Sequence, residues 1–194
     1  MQKDTSFAKL VSLGCHDVRT PLATVHGFAK TLERVTELAP PADRYVEMIG
    51  KASAEMAELL DELSLVARIE ADRYDPNLQE VDTLALAQAA VERLGEDRVK
   101  VEGEGALARV DSAAVERGVS ALVQAALRHG GLDEVQVRVC GAELEVEPVT
   151  DSSSKVVLGQ DLRDLGAAVA VRLLEHLGGA VEVDGSVLKI RLPQ

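Results

Sequence analysis

The chain has 194 residues and a formal net charge of −12, with 46% apolar residues but only 2% aromatic ones and no tryptophan. That length and apolar content exclude a disordered tail and allow one large domain or two small ones with real cores. The negative charge opposes binding to a nucleic-acid polyanion, and no apolar run approaches the ~18 residues that read as a membrane span. Cys15 and Cys140 are the two cysteines, too far apart in sequence for a metal-ligand spacing or a disulfide framework, which fits a reducing cytoplasm. The opening Met1-Gln2-Lys3-Asp4 does not read as a signal peptide. With so few aromatics the core falls to Ala, Val and Leu, residues that suit helices packed closely on helices.

The first elements are two long helices. Val11, Cys15, Val18, Leu22, Val25, Ala29 and Leu32 alternate at spacings of four and three, and Tyr45, Ile49, Ala52, Met56, Leu59, Leu63 and Val66 repeat the pattern. A period of about 3.5 residues is the seam of coiled coils and four-helix bundles. Between the runs lies Leu38-Ala39-Pro40-Pro41-Ala42-Asp43, whose paired prolines stop one helix and let the next begin. The prediction is an antiparallel helical hairpin. Two helices with one apolar seam each do not close a core, so a second copy is expected to complete a four-helix bundle through residues 5–70. The competing arrangement packs the hairpin on the chain's own C-terminal half.

The pattern changes at Tyr74-Asp75-Pro76-Asn77, which puts a domain boundary between residues 1–74 and 75–194. Val81–Leu94 reads as a helix ending at Gly95, and Val99–Glu102 and Leu107–Val110 as strands. Asp111 can cap a helix that runs to His129 and stops at Gly130-Gly131. Val135–Cys140 and Leu144–Val149 read as a hairpin turning at Gly141-Ala142, and Thr150–Lys155 as a polar loop. Leu162–Leu177 is a predicted helix ended by Gly178-Gly179, followed by a hairpin of Ala180–Val183 and Val187–Leu192 around Asp184-Gly185. Such a mixture suggests an α+β layer with helices on one face of a mixed sheet.

The residues that carry chemistry lie in Leu13-Gly14-Cys15-His16-Asp17-Val18-Arg19-Thr20-Pro21-Leu22. His16 follows the seam residue Cys15, so it sits on the flank of the bundle and faces solvent. Asp17 can orient its imidazole and accept its proton, which makes the other ring nitrogen a better nucleophile. Thr20 lies one turn on, on the same face, where its hydroxyl can hold a water. Pro21 lacks the N–H that would bond the carbonyl of Asp17, so a kink is expected beside the histidine.

His16-Asp17-Val18-Arg19-Thr20-Pro21-Leu22 resembles the H-box of bacterial sensor histidine kinases, and the flanks Phe7-Ala8-Lys9-Leu10 and Val25-His26-Gly27-Phe28 agree with it. The run from Glu58 to Glu70 is similar to that family's second dimerisation helix. The resemblance implies that His16 is the phospho-acceptor, Asp17 its acid/base partner and Thr20 the residue that positions water for dephosphorylation of a receiver domain. It implies a fold of α+β class: an N-terminal antiparallel hairpin forming a dimeric four-helix bundle, then a histidine-kinase-like α/β sandwich. It continues through Asp111–His129, similar to the helix of the N-box, through Leu165-Gly166-Ala167-Ala168 to Gly178-Gly179, similar to the last glycine box and its helix, and into the closing strand Leu188–Pro193.

The nucleotide chemistry of that second domain is missing from the sequence. The family's magnesium-ligating Asn falls on Ala125, which has no ligand atom. Its adenine-reading Asp-x-Gly-x-Gly turn has as best match Asp151-Ser152-Ser153-Ser154, without glycine. Its glycine-rich lid is reduced to a short stretch holding Gly159, with Gly166 surviving after it. The expectation is a cytoplasmic phosphoryl carrier that exchanges the group on His16 with a response-regulator receiver and uses no cofactor or metal of its own. The alternatives are an active autokinase with a divergent nucleotide site, and a docking scaffold without catalysis. His129 and His176, at helix ends beside glycine pairs, read as residues favoured by the helix dipole. His26 has no nearby carboxylate, and Cys15 reads as a small seam residue.

Overall fold

The computed structural model describes residues 6–35, 38–95 and 97–193. The chain divides into two compact units, Met1–Tyr74 and Asp75–Gln194.

The first unit is a hairpin of α1 (Ser6–Val35) and α2 (Ala42–Glu70). Helix α1 runs unbroken through Pro21, the residue at which a kink was expected. The predicted seam of α1 divides in two. Cys15, Leu22 and Ala29 are buried inside the hairpin, whereas Val18, Val25 and Leu32 stay 53%, 47% and 42% exposed. On α2 the buried positions are Val46, Gly50, Ser53, Leu65 and Ala67, whereas Tyr45, Ile49, Met56 and Leu59 of the predicted seam face outward. The physical reason is width: two helices side by side touch along one narrow stripe, and small residues allow the closest approach there. Gly50 shows how tight it is, since a Cβ at that position would lie 3.2 Å from the Glu33 carboxylate.

One polar bridge crosses this stripe. The buried Ser53 hydroxyl donates to the Gly50 carbonyl at 2.8 Å and lies 2.9 Å from His26 Nδ1. A hydroxyl has one proton to give, so the imidazole is the donor in the second bond. His26 therefore ties α1 to α2 through a serine.

The second unit contains β1 (Leu78–Asp82), α3 (Thr83–Leu94), β2 (Val99–Gly105), β3 (Leu107–Asp111), α4 (Ser112–Gly130), β4 (Val135–Gly141), β5 (Glu143–Glu147), α5 (Asp151–Val157), α6 (Leu165–His176), β6 (Ala180–Asp184) and β7 (Val187–Arg191). Five strands form one mixed sheet in the order β2-β4-β5-β7-β6, and β1 pairs with β3 in a separate ribbon. Only β2 and β4 run parallel in the large sheet; its other pairs are antiparallel. Alternation along the strands builds two faces. Val137, Leu144, Val146, Leu188 and Ile190 are fully buried in the core shared with the helices. The opposite face carries an ion-pair ladder in which Arg138 meets Glu145 and Glu147, and Arg191 meets Glu143 and Glu182.

Several predicted boundaries move, three of them for a visible local reason. The helix expected from Val81 starts at Thr83, because Leu78–Asp82 pairs with β3 and the Asp82 carboxylate caps α3 by accepting from the Ala85 amide at 2.9 Å. The polar loop expected at Thr150–Lys155 is the start of α5. There Ser153, fully buried, accepts the Thr150 amide at 3.1 Å in a capping-box arrangement. The last helix begins at Leu165, where Asp164 accepts from the Ala167 amide at 3.0 Å. Asp111 caps α4 as expected, accepting from Ala114 at 3.2 Å.

Candidate functional site

Helix α1 places His16, Asp17 and Thr20 on its exposed surface. His16 Nδ1 lies 3.2 Å from Asp17 Oδ1, and the two side chains are 76% and 68% exposed. A carboxylate only accepts, so this contact puts the proton on Nδ1 and leaves the lone pair on Nε2. The other ring nitrogen is thus left available to solvent. Thr20 follows by one turn and its hydroxyl has no hydrogen bond among the described residues; its carbonyl accepts from the Thr24 hydroxyl at 3.2 Å. Cys15 is next to His16 in the chain but 4% exposed, turned into the hairpin and away from the histidine's surface.

Arg19 completes the charged surroundings. Its Nη2 donates to Asp61 Oδ1 at 2.8 Å and reaches Ser64 Oγ at 3.4 Å, both on α2. Sequence reasoning assigned Arg19 no role, because its partner lies 42 positions away and only the hairpin brings them together.

In the second unit, Ala125 is fully buried in α4, beside Leu122, Val123 and Ala126. It offers no donor atom and no access to one. Asp151 is in the first turn of α5, not in a glycine-bearing turn. The stretch from Leu158 to Asp164 joins α5 to α6, with Gly159 at φ +63 where a left-handed residue is required. This connection is fastened to the end of α4. His129 Nε2 lies 3.0 Å from Asp164 Oδ2, whose other oxygen caps α6, and the Ser152 hydroxyl donates to the His129 carbonyl at 2.8 Å. His129 is therefore more than a dipole residue: it clasps α4 to the start of α6. Beneath the clasp, Val149, Val156, Val157, Ala167 and Ala170 belong to the same core as Ala125. Among the described residues, no group of three or more His, Cys, Asp or Glu is placed to hold a metal ion. Among them, too, no helix is long and apolar enough to cross a membrane.

Residues 9–72 match the His Kinase A (phospho-acceptor) domain. The histidine protein kinase DivJ of Caulobacter vibrioides is 28% identical over 187 residues, which is 89% of this chain and 30% of DivJ. The hairpin thus matches the phospho-acceptor domain of histidine kinases, and the chain as a whole is similar to sensor histidine kinases. The sensor histidine kinase MtrB of Mycolicibacterium paratuberculosis is 27% identical over 137 residues, 66% of this chain and 24% of MtrB. The chain thus spans less than a third of the length of either relative. The crystal structure of full-length ShkA in complex with AMPPNP shares its fold, with a TM-score of 0.67 and 20% identity over 94% of this chain and 44% of that one. The hairpin followed by an α/β domain with a mixed sheet is the histidine kinase fold.

The clasp gives a stability prediction. Asp164 and His129 are 12% and 17% exposed, so their contact is poorly screened. Asp164→Ala loses both the cap and the His129 contact and is expected to cost about 2 kcal/mol in urea unfolding. Asp164→Asn keeps a capping oxygen and is expected to cost about half of that.

Proposed function

We propose that this histidine kinase relative is a phosphoryl carrier that works without ATP. His16 takes the group from the aspartyl phosphate of a response-regulator receiver, or passes one on. The observation that carries the reading is the pairing of an exposed His16, oriented by Asp17, with an alanine sealed in the core where the family resemblance puts the magnesium ligand.

The transfer balances with groups on this helix. The Nε2 lone pair forms an N–P bond as the P–O bond to the aspartyl carboxyl breaks, and the carboxylate leaves with the electron pair. Positive charge then develops on the ring, and Asp17 stabilises it at Nδ1 or takes the proton. Onward transfer is the reverse with a second receiver. Thr20, one turn away, holds water for hydrolysis of the receiver's phosphoryl group. No nucleotide is needed because the aspartyl phosphate arrives activated. Two free cysteines suit these steps to the reducing cytoplasm.

The working form is a homodimer. Val18, Val25 and Leu32 on α1 and Ile49, Met56 and Leu59 on α2 are all more than 40% exposed in the single hairpin. They continue the heptad spacing of the buried stripe, and a second copy covers them in a four-helix bundle. Ile49→Asp is expected to turn the dimer into monomers in size-exclusion chromatography with light scattering.

A receiver charged with labelled acetyl phosphate tests the transfer. With no ATP present, label is expected to move to the wild-type chain and not to His16→Gln. Asp17→Asn is expected to slow the transfer at least 100-fold, the usual worth of an acid/base partner. Label on His16→Gln would contradict the reading, and signalling that survives His16→Ala would make the chain a docking scaffold.

A further inference from the structure

The H-box holds one charged residue to which the resemblance gives no task. Arg19 is the sole Lys or Arg between Leu10 and Ala29. It follows His16 by three positions, so on α1 the two side chains are neighbours, with Cβ atoms about 5–6 Å apart. The guanidinium is turned to α2, where Nη2 meets Asp61 Oδ1 at 2.8 Å and Ser64 Oγ at 3.4 Å. This engages one nitrogen of a group that carries five N–H donors. Arg19 is 42% exposed and Asp61 66% exposed, so the pair is the weak, solvent-screened kind. Arg68, further along α2, is already committed to the Tyr74 ring, 5.5 Å from its centroid.

We propose that Arg19 is a phosphoryl-binding residue held in reserve. Asp61 keeps the guanidinium while His16 is bare, and the guanidinium leaves Asp61 for the phosphoryl oxygens once Nε2 carries the group. This rests on His16 being the phospho-acceptor. A phosphoryl group brings close to two negative charges and three acceptor oxygens, and a guanidinium binds such oxygens through two parallel N–H bonds. Asp61 offers a single contact, so the phosphoryl group wins the competition. Asp61 is then a competitor of the phosphorylated state and Arg19 its support. The two residues, although paired in the resting chain, have opposite effects on the lifetime of the phosphohistidine.

The test uses the full chain and phosphoramidate as the phosphoryl donor. Nε2 forms the N–P bond, the P–N bond of phosphoramidate breaks, ammonia leaves and the Nδ1 proton passes to water by way of Asp17. After removal of the donor, the decay of the phosphohistidine is followed by phosphorus NMR, with circular dichroism confirming equal helix content. Arg19→Gln is expected to shorten the half-life about threefold to fivefold, the size of an exposed charged contact. Arg19→Lys, a point charge without the fork, is expected to recover part of it. Asp61→Asn is expected to lengthen the half-life in the wild-type background and to do nothing in the Arg19→Gln background, because it acts through Arg19. Shortening by both single variants would make the pair a brace between helices and overturn the proposal. So would an equal effect of Asp61→Asn in both backgrounds, or a labelled wild type whose half-life Arg19→Gln leaves unchanged. If the wild type takes up no label, or His16→Gln takes up as much, the phospho-acceptor reading itself falls and Arg19 with it.

Discussion

Two antiparallel helices bury one stripe on each, and everything else in the first unit is arranged around that limit. The stripe holds Cys15, Leu22 and Ala29 on one side and Val46, Gly50, Ser53, Leu65 and Ala67 on the other, most of them small. Other apolar side chains, Val25, Leu32, Ile49, Met56 and Leu59 among them, are left on the outside. This division fixes how α1 is rotated. With Cys15 pointing inward, its neighbour His16 is carried to the surface, and Arg19 falls at the edge of the stripe where it can reach α2. The exposed apolar residues then call for a second copy, so one packing constraint serves both the presentation of the histidine and the proposed dimer.

The second unit shows a different use of small residues. Ala125, Ala126, Ala167 and Ala170 let α4 and α6 lie close, and a Cβ on Gly118 would be only 3.4 Å from that of Ala170. The connection from Leu158 to Asp164 is held by the His129–Asp164 contact, by Gly159 and by the Asp164 cap, all of them bonds within the chain. The proposal of an ATP-independent carrier rests on the motif residues that are absent and on the burial of Ala125.

Much of this was legible in the sequence. The heptad spacing announced both long helices, and the prolines at 40 and 41 marked their junction. Asp111 announced the start of α4, and Gly141 with Ala142 marked the turn between β4 and β5. The elements that were not foreseen are short and polar. Leu78–Asp82 has too few apolar residues to show a strand alternation and exists because β3 pairs with it. Asp151–Val157 carries three serines after its opening Asp151, residues that compete with helical bonds in isolation, and becomes a helix because Ser153 and Val156 are buried against the core. At the site, the motif exposed His16, Asp17 and Thr20 as candidates. The partners of Arg19, His26 and His129 stayed hidden, since Asp61, Ser53 and Asp164 each lie far along the chain. Which face of each helical seam turns inward was equally out of reach, because a period of 3.5 describes two faces at once.

The central claim is that the phosphoryl group on His16 comes from another protein and not from a nucleotide bound by this chain. A calorimetric titration of the folded protein with Mg-ATP, carried to millimolar concentration, addresses it directly. The account predicts no saturable heat. A saturable binding curve would contradict it, by showing that the core around Ala125 opens to a nucleotide, and would make the chain an autokinase with a divergent site.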